Sequence, residues 1–300
     1  MDTLAAMADG RVGAARCAVL ARALDEPLAG TSPVASRWVC VEHRGAWPRA
    51  VGSHADPSVA AFAARAEAGG WRLLLIRRPG RQCDDPDGPS RIYLTDTAPG
   101  TAHTTVLTVA GPAELADVTL PGPGESLPGA AVPDPLLLVC THGRRDRCCA
   151  LDGRALAMAL TGVDELDVWE CTHLGGHRFA PTALVLPTGY VYGRLDQAGA
   201  VAAYKAAASG EVETAMCRGR STWTPAGQVA ELAVRAATGL RDAEVLHVGH
   251  APGGAIVTAQ DGRRWSVDVA EVAGRPRPAS CGDDPVPSRA LRAAGMRRLA

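Results

Sequence analysis

One pattern limits the fold of this chain more than any other: Cys140-Thr-His-Gly-Arg-Arg-Asp-Arg-Cys148-Cys149, then His173-Leu-Gly-Gly-His177. Cysteines and histidines from two segments can hold a metal only if the fold sets those segments side by side. Thiolate selects zinc, copper or iron–sulfur centres, and imidazole suits zinc, iron, copper and nickel. Residues 136–140 form a continuous apolar run of strand length, 154–160 read as a helix ended near Gly162, and 167–172 read as a second strand. In a parallel β-α-β unit the two strands end on one edge of the sheet, where open α/β folds place their sites. Cys140 then ends the first strand, Cys149 enters the helix and His173 ends the second strand. Gly175-Gly176 gives a tight turn that lets His177 fold back beside His173. A convergent Cys140, Cys149, His173 and His177 set is geometrically plausible, with Cys148 as the alternative to Cys149.

The elements after this unit extend the same core. Residues 183–186 and 191–194 flank the turn Pro187-Thr188-Gly189-Tyr190 as a hairpin, and a helix is expected over 197–207. The order β-α-β then β-β-α is that of a thioredoxin-like core. Before it, a helix at 11–24, strands at 38–42, 71–76, 91–95 and 104–109, and a helix at 58–68 make a similar order. A divergent duplication would explain the shared order. The Pro- and Gly-rich stretch 120–135 carries no apolar period and reads as a linker. The tail offers a helix over 225–238, a hairpin across Gln260-Asp261-Gly262, a Pro/Arg stretch at 274–278 and a short terminal helix. The fold class is α/β: an N-terminal α/β domain over 1–130, a thioredoxin-like domain with the site over 131–215, and an α+β extension over 216–300.

Length and composition restrict the function classes. Three hundred residues with 47% hydrophobic and 21% charged content describe an ordinary globular protein. A net charge of −1 argues against nucleic acid or an anionic membrane as the main partner. No apolar run reaches the ~20 residues of a membrane helix. The opening Met1-Asp-Thr-Leu-Ala-Ala lacks a basic start with a long apolar core, so cytoplasm is the expected location. There, nine cysteines point to metal or redox use of some thiols rather than a disulfide framework. No Cys-x-x-Cys opens the helix at Asp152, which counts against a thiol–disulfide oxidoreductase.

Zinc and iron–sulfur remain the competing occupants. His-x3-His is within zinc-finger spacing, but zinc fingers pair it with cysteines two to four residues apart. Here eight residues separate Cys140 from Cys149. That wider loop favours a centre larger than one ion, and a structural Cys2His2 zinc domain stays open as the second reading.

Cys140-x8-Cys149 with His173-Leu-Gly-Gly-His177 resembles the signature of the sucrase/ferredoxin-like family, the thioredoxin-like ferredoxins. Arg178-Phe-Ala, Leu186-Pro-x-Gly, Tyr192-Gly-Arg, Arg218-Gly-Arg-Ser and Ser280-Cys-Gly also look like the family's bacterial members. The resemblance implies a [2Fe–2S] cluster on Cys140, Cys149, His173 and His177. It further implies an electron carrier that meets a redox partner protein or a small-molecule reductant. Two thiolates leave such a cluster neutral when oxidised, which predicts a potential above the about −400 mV of plant-type ferredoxins. Two imidazoles on one iron predict coupled proton uptake and a potential that falls with rising pH. No carboxylate pair stands out as a glycosidase acid and nucleophile, so the "sucrase" of the label is not expected as an activity.

Other residues have plainer readings. Cys148 and Cys171 are expected as buried thiols, with a backup-ligand or redox role as the alternative. Cys17, Cys40, Cys83, Cys217 and Cys281 are expected in core or surface positions. His142 reads as a loop hydrogen-bonding residue, His247-Val-Gly-His250 has near-ligand spacing but no cysteine close by in sequence to complete a second metal site, and Trp169 and Tyr192 read as core. Arg144, Arg145, Arg147 and Arg178 crowd the site around Asp146, either as a solvated loop with an Arg–Asp pair or as a docking face for an acidic redox partner.

Overall fold

The computed structural model describes residues 16–81 and 88–300. Cys83 and the part of the first expected helix before residue 16 lie outside these. In chain order the main elements are α1 (Cys17–Ala23), β1 (Arg37–Glu42), α2 (Pro57–Ala68), β2 (Arg72–Arg77), β3 (Ser90–Asp96), β4 (His103–Val109) and β5 (Ala130–Val132). Then come β6 (Leu136–Cys140), α3 (Arg154–Leu160), β7 (Val168–Cys171), β8 (Ala183–Leu186), β9 (Tyr190–Tyr192), α4 (Gln197–Ala208) and β10 (Cys217–Arg220). The tail holds α5 (Pro225–Thr238), β11 (Leu246–Ala251), β12 (Gly254–Ala259), β13 (Arg264–Pro278) and β14 (Pro285–Leu299).

The helices start where local chemistry supplies a cap. Asp56 accepts the Ser58 N–H at 2.8 Å and Pro57 opens α2, while Asp196 accepts the Gly199 N–H at 2.8 Å to start α4. The buried face of α2 is Val59, Phe62, Ala63 and Ala66, an i, i+3, i+4, i+7 stripe.

The first ten strands form one sheet in the order β10-β9-β8-β6-β7-β2-β1-β3-β4-β5. β6 and β7 are parallel neighbours, as are β1 and β2. Each pair is extended by antiparallel strands, β8 and β9 on one side and β3 and β4 on the other. β2 and β7 join the two sets antiparallel, with Ile76 opposite Cys171 and Arg77 opposite Glu170. The Arg77–Glu170 pair at 2.8 Å is buried at this seam, and Thr141 donates to the same carboxylate at 3.2 Å. The architecture is therefore α/β: a large mixed sheet, and a smaller antiparallel sheet, β11-β12-β13-β14, covered by α5.

Three segments differ from the sequence expectation. Residues 130–132, inside the expected linker, pair with β4. Cys217–Arg220 adds an edge strand next to β9. The expected terminal helix is the long strand β14, paired with β13 from Leu299 opposite Arg264 to Pro285 opposite Pro278. Alanine and arginine are good helix formers, but intrinsic propensity is a weak prior, and the continuous backbone ladder with β13 outweighs it.

Candidate metal centre

Cys140 is the last residue of β6 and lies opposite Cys171 of the parallel strand β7, whose chain continues directly to His173. Cys149 opens a single π-turn, Cys149–Gly153, before α3. π-turns inside helices recur at functional sites. Gly153 closes this turn against the strand end, and a Cβ there would collide with the Cys140 carbonyl. Strand end, π-turn and post-strand loop bring Cys140, Cys149 and His173 together, with their donor atoms all within 4.8 Å of one another. Both cysteines are buried, and the His173 Nδ1 is a buried polar atom with no hydrogen-bond partner.

The two thiols share their protons unequally. The Cys149 S–H donates to Cys140 and, against the cost of burial, lowers the Cys140 thiol well below its usual value; His173 lowers it further. The same contact and then burial raise Cys149. A thiolate at Cys140 is thus favoured even in this dry pocket, as metal ligation requires.

His177 departs from expectation. Gly175 and Gly176 both adopt positive φ, and the ring does fold back, its centroid 5.3 Å from that of His173. It does not join the donor cluster of Cys140, Cys149 and His173. The His177 Nε2 instead lies 2.8 Å from the Ala279 carbonyl, 2.9 Å from the Ser280 hydroxyl and 3.7 Å from Asp146, while its Nδ1 has no partner. The Cys2His2 set, and the electron-carrier and zinc-domain readings built on it, are corrected: the donors that meet here are two cysteines and one histidine. The expectation of proton uptake at two imidazoles on one iron falls with it. The physical reason is the C-terminal tail, whose 279–280 segment engages the ring from a distance in sequence that spacing cannot reveal.

Cys148 is not an alternative to Cys149. It belongs to a second cluster with Cys17, Asp146 and Cys281, whose donor atoms also lie within 4.8 Å of one another. The three sulfurs form a near-equilateral triangle, 3.6 Å for Cys17–Cys148, 3.4 Å for Cys148–Cys281 and 3.6 Å for Cys281–Cys17. Asp146 sits against it, 3.7 Å from the Cys17 sulfur and 3.4 Å from that of Cys281. The expected solvated Arg–Asp pair is therefore replaced by a buried carboxylate that accepts the N–H groups of Cys148 at 2.7 Å and Cys281 at 3.0 Å. Burial opposes ionisation of Asp146, yet these amides hold its pKa below the ordinary value. Cys17 and Cys281, expected as isolated core or surface thiols, are cluster members. The only sequence signals were the doubled Cys148-Cys149 and the Ser280-Cys-Gly segment.

The remaining expectations place simply. His142 Nε2 bonds the Pro48 carbonyl at 2.8 Å. Cys40, Cys171 and Cys217 are buried thiols raised by burial, Cys217 to about 12. Trp169 and Tyr192 are core. His247 and His250 are exposed on β11, where residues three apart point to opposite faces, and neither belongs to a donor cluster found among the described residues. Arg178 pairs with Glu26 at 2.8 Å, not with the loop. Arg218, noted in the sequence only within a resemblance segment and given no role at the site, is buried beneath the His173–His177 turn, bonded to Thr31 and, at 3.0 Å, to the Gly175 carbonyl. Among the described residues no helix is long and apolar enough to cross a membrane.

No curated protein and no solved structure matches the chain. A family model described as sucrase/ferredoxin-like matches residues 28–219, which hold Cys140, Cys149 and His173. With more than half of its length matched, the chain belongs to the sucrase/ferredoxin-like family.

Proposed function

We propose that the protein is a metal-dependent redox protein and that Cys140, Cys149 and His173 hold its centre. The observation that carries this reading is the meeting of two buried cysteines and one histidine, donors within 4.8 Å, where two parallel strands end. The donor chemistry suits zinc or an iron–sulfur centre. A structural zinc site and a [2Fe–2S] cluster each take four ligands, and three protein donors converge here among the described residues. The ferredoxin-like description of the family favours the [2Fe–2S] cluster. When bound, such a cluster supplies one-electron transfer.

The chain's own residues do the positioning. Cys149 and His173 lower the Cys140 thiol, Gly153 lets the π-turn close on the strand end, and buried Arg218 places a positive charge under the His173–His177 turn. Arg144, Arg145 and Arg147 are exposed beside the centre and supply a docking face for an acidic redox partner protein. The strand order β9-β8-β6-β7, with its parallel central pair, supports a thioredoxin-like core at 131–215; β4-β3-β1-β2 repeats that order at 1–130, and 216–300 forms the extension. The free thiols among the described residues agree with a reducing, cytoplasmic setting.

Anaerobic purification with iron and acid-labile sulfide analysis, followed by EPR of the reduced protein, tests the reading. Iron and sulfide that disappear in Cys140→Ser and Cys149→Ser support it. A colourless protein holding zinc at these residues, with no labile sulfide, overturns it.

A further inference from the structure

The triangle of Cys17, Cys148 and Cys281 with Asp146 at its apex is independent of that reading. Its donors come from three distant parts of the chain: the first residue of α1, the loop after β6, and the connection between β13 and β14. Cys17 and Cys281 lie outside residues 28–219, so the cluster is an addition to the part of the chain that the family model covers. Cys17, Asp146 and Cys148 are buried and Cys281 is half-buried.

From this geometry we infer that Cys17, Cys148, Cys281 and Asp146 bind a single zinc ion, and that this ion fastens the N-terminal helix and the tip of the C-terminal hairpin to the family domain.

The edge lengths identify the size of the occupant. Zinc–sulfur bonds of about 2.3 Å at tetrahedral angles give sulfur–sulfur edges of about 3.8 Å. The observed edges are 3.4 to 3.6 Å between sulfurs, and the Asp146 carboxylate lies 3.4 to 3.8 Å from the sulfurs of Cys281 and Cys17. A cluster of several irons spreads its thiolates over different metals and needs a wider triangle. A disulfide needs sulfurs about 2.05 Å apart, and no pair here is near that.

The surroundings are built for such an ion. Asp146 is oriented by the two backbone N–H groups already described, and the Cys17 N–H points at the Cys281 sulfur at 3.4 Å. Such outer hydrogen bonds fix ligand direction in metal sites. Beside the cluster, Glu26 accepts Arg277 of β13 at 2.5 Å and Arg178 at 2.8 Å, so the hairpin tip is seated where the fourth donor must lie. Three thiolates and a carboxylate carry four negative charges, which a divalent ion halves. Binding therefore releases the thiol protons and couples the ion to the fold.

The full chain, purified anaerobically without chelator, should contain one zinc per molecule in addition to any metal on Cys140, Cys149 and His173. The double variant C17S/C281S should lose that zinc while iron and sulfide stay unchanged, and C140S/C149S should keep it. X-ray absorption at the zinc edge should give three sulfur neighbours and one oxygen. Limited proteolysis should cut between residues 278 and 285 faster once zinc is removed. The absorption and proteolysis measurements use the unaltered protein, so the proposal stays testable if a variant fails to fold. Zinc retained by C17S/C281S, a metal-free chain that takes up no zinc from one equivalent of the ion, or a disulfide among the three cysteines in the anaerobic protein overturns it.

Discussion

Cys148 and Cys149 are neighbours in the chain, yet they face two differently built clusters. Cys149 joins Cys140 and His173, a set of three donors from within residues 140–173. Cys148 joins Cys17, Asp146 and Cys281, a set of four donors whose outermost members are 264 residues apart. Three protein donors leave a coordination position open to chemistry, whereas four close the shell and suit a structural ion. Helical backbone at Cys148 and the turn that follows explain the split, because successive side chains on a helix diverge by about 100°. One segment can thus serve a reactive centre on one side and a fastening on the other.

Substituting the two adjacent cysteines separately gives the largest expected effects on this contrast. Cys149→Ser should abolish metal on the three-donor centre and leave zinc intact; Cys148→Ser should do the reverse. Elemental analysis of both variants reads this directly, and loss of both metals from either one would merge the two sites. Gly153→Ala should follow in size. Its Cβ meets the Cys140 carbonyl, so the π-turn must shift, at a typical overpacking cost of about 1–3 kcal/mol. Iron content should fall sharply and the denaturant midpoint should drop, with zinc unaffected.

Chelation of the four-donor site should lower stability next. An ion present at about 100 times its Kd contributes about 2.7 kcal/mol, so the thermal midpoint should fall on its removal and recover with added zinc. An unchanged midpoint would show that the hairpin tip is held by its ion pairs alone. Replacing Arg218 by Met removes its bonds to Thr31 and Gly175 beneath the histidine turn. A loss of about 1–3 kcal/mol per unsatisfied buried partner is expected, read by denaturation, together with weakened retention of iron. The smallest effect is expected from His177→Gln: metal content at Cys140, Cys149 and His173 should stay within error. Loss of that metal would return the second imidazole to the centre.

Much of the fold was legible because its signals are local. The apolar runs before Cys140 and at β2, the apolar face of α2 and the Gly-containing hairpin turns each reflect chemistry within a few residues. The antiparallel join of β2 to β7 was not legible, since Ile76 and Cys171 carry no mark that they face each other. β14 was misread for a related reason: its Ala- and Arg-rich composition favours helix locally, while the pairing with β13 that overrides this preference is a tertiary contact. At the site, Cys140, Cys149 and His173 were accessible because one β-α-β unit sets all three. The place of His177 was not, because the 279–280 segment engages it.

The sequence by itself determined which residue types can bind metal and that a strand–helix–strand unit would bring Cys140, Cys149 and His173 together, though it added His177 to them, since periodicity and turn chemistry act over short range. Only the tertiary structure decided which thiols share a site. It turned Cys148 away from Cys149, brought Cys17 and Cys281 from opposite ends of the chain, and buried Asp146 between the backbone amides of Cys148 and Cys281. Donor atoms must meet within a few ångströms, and that convergence belongs to the packed chain rather than to any interval along it.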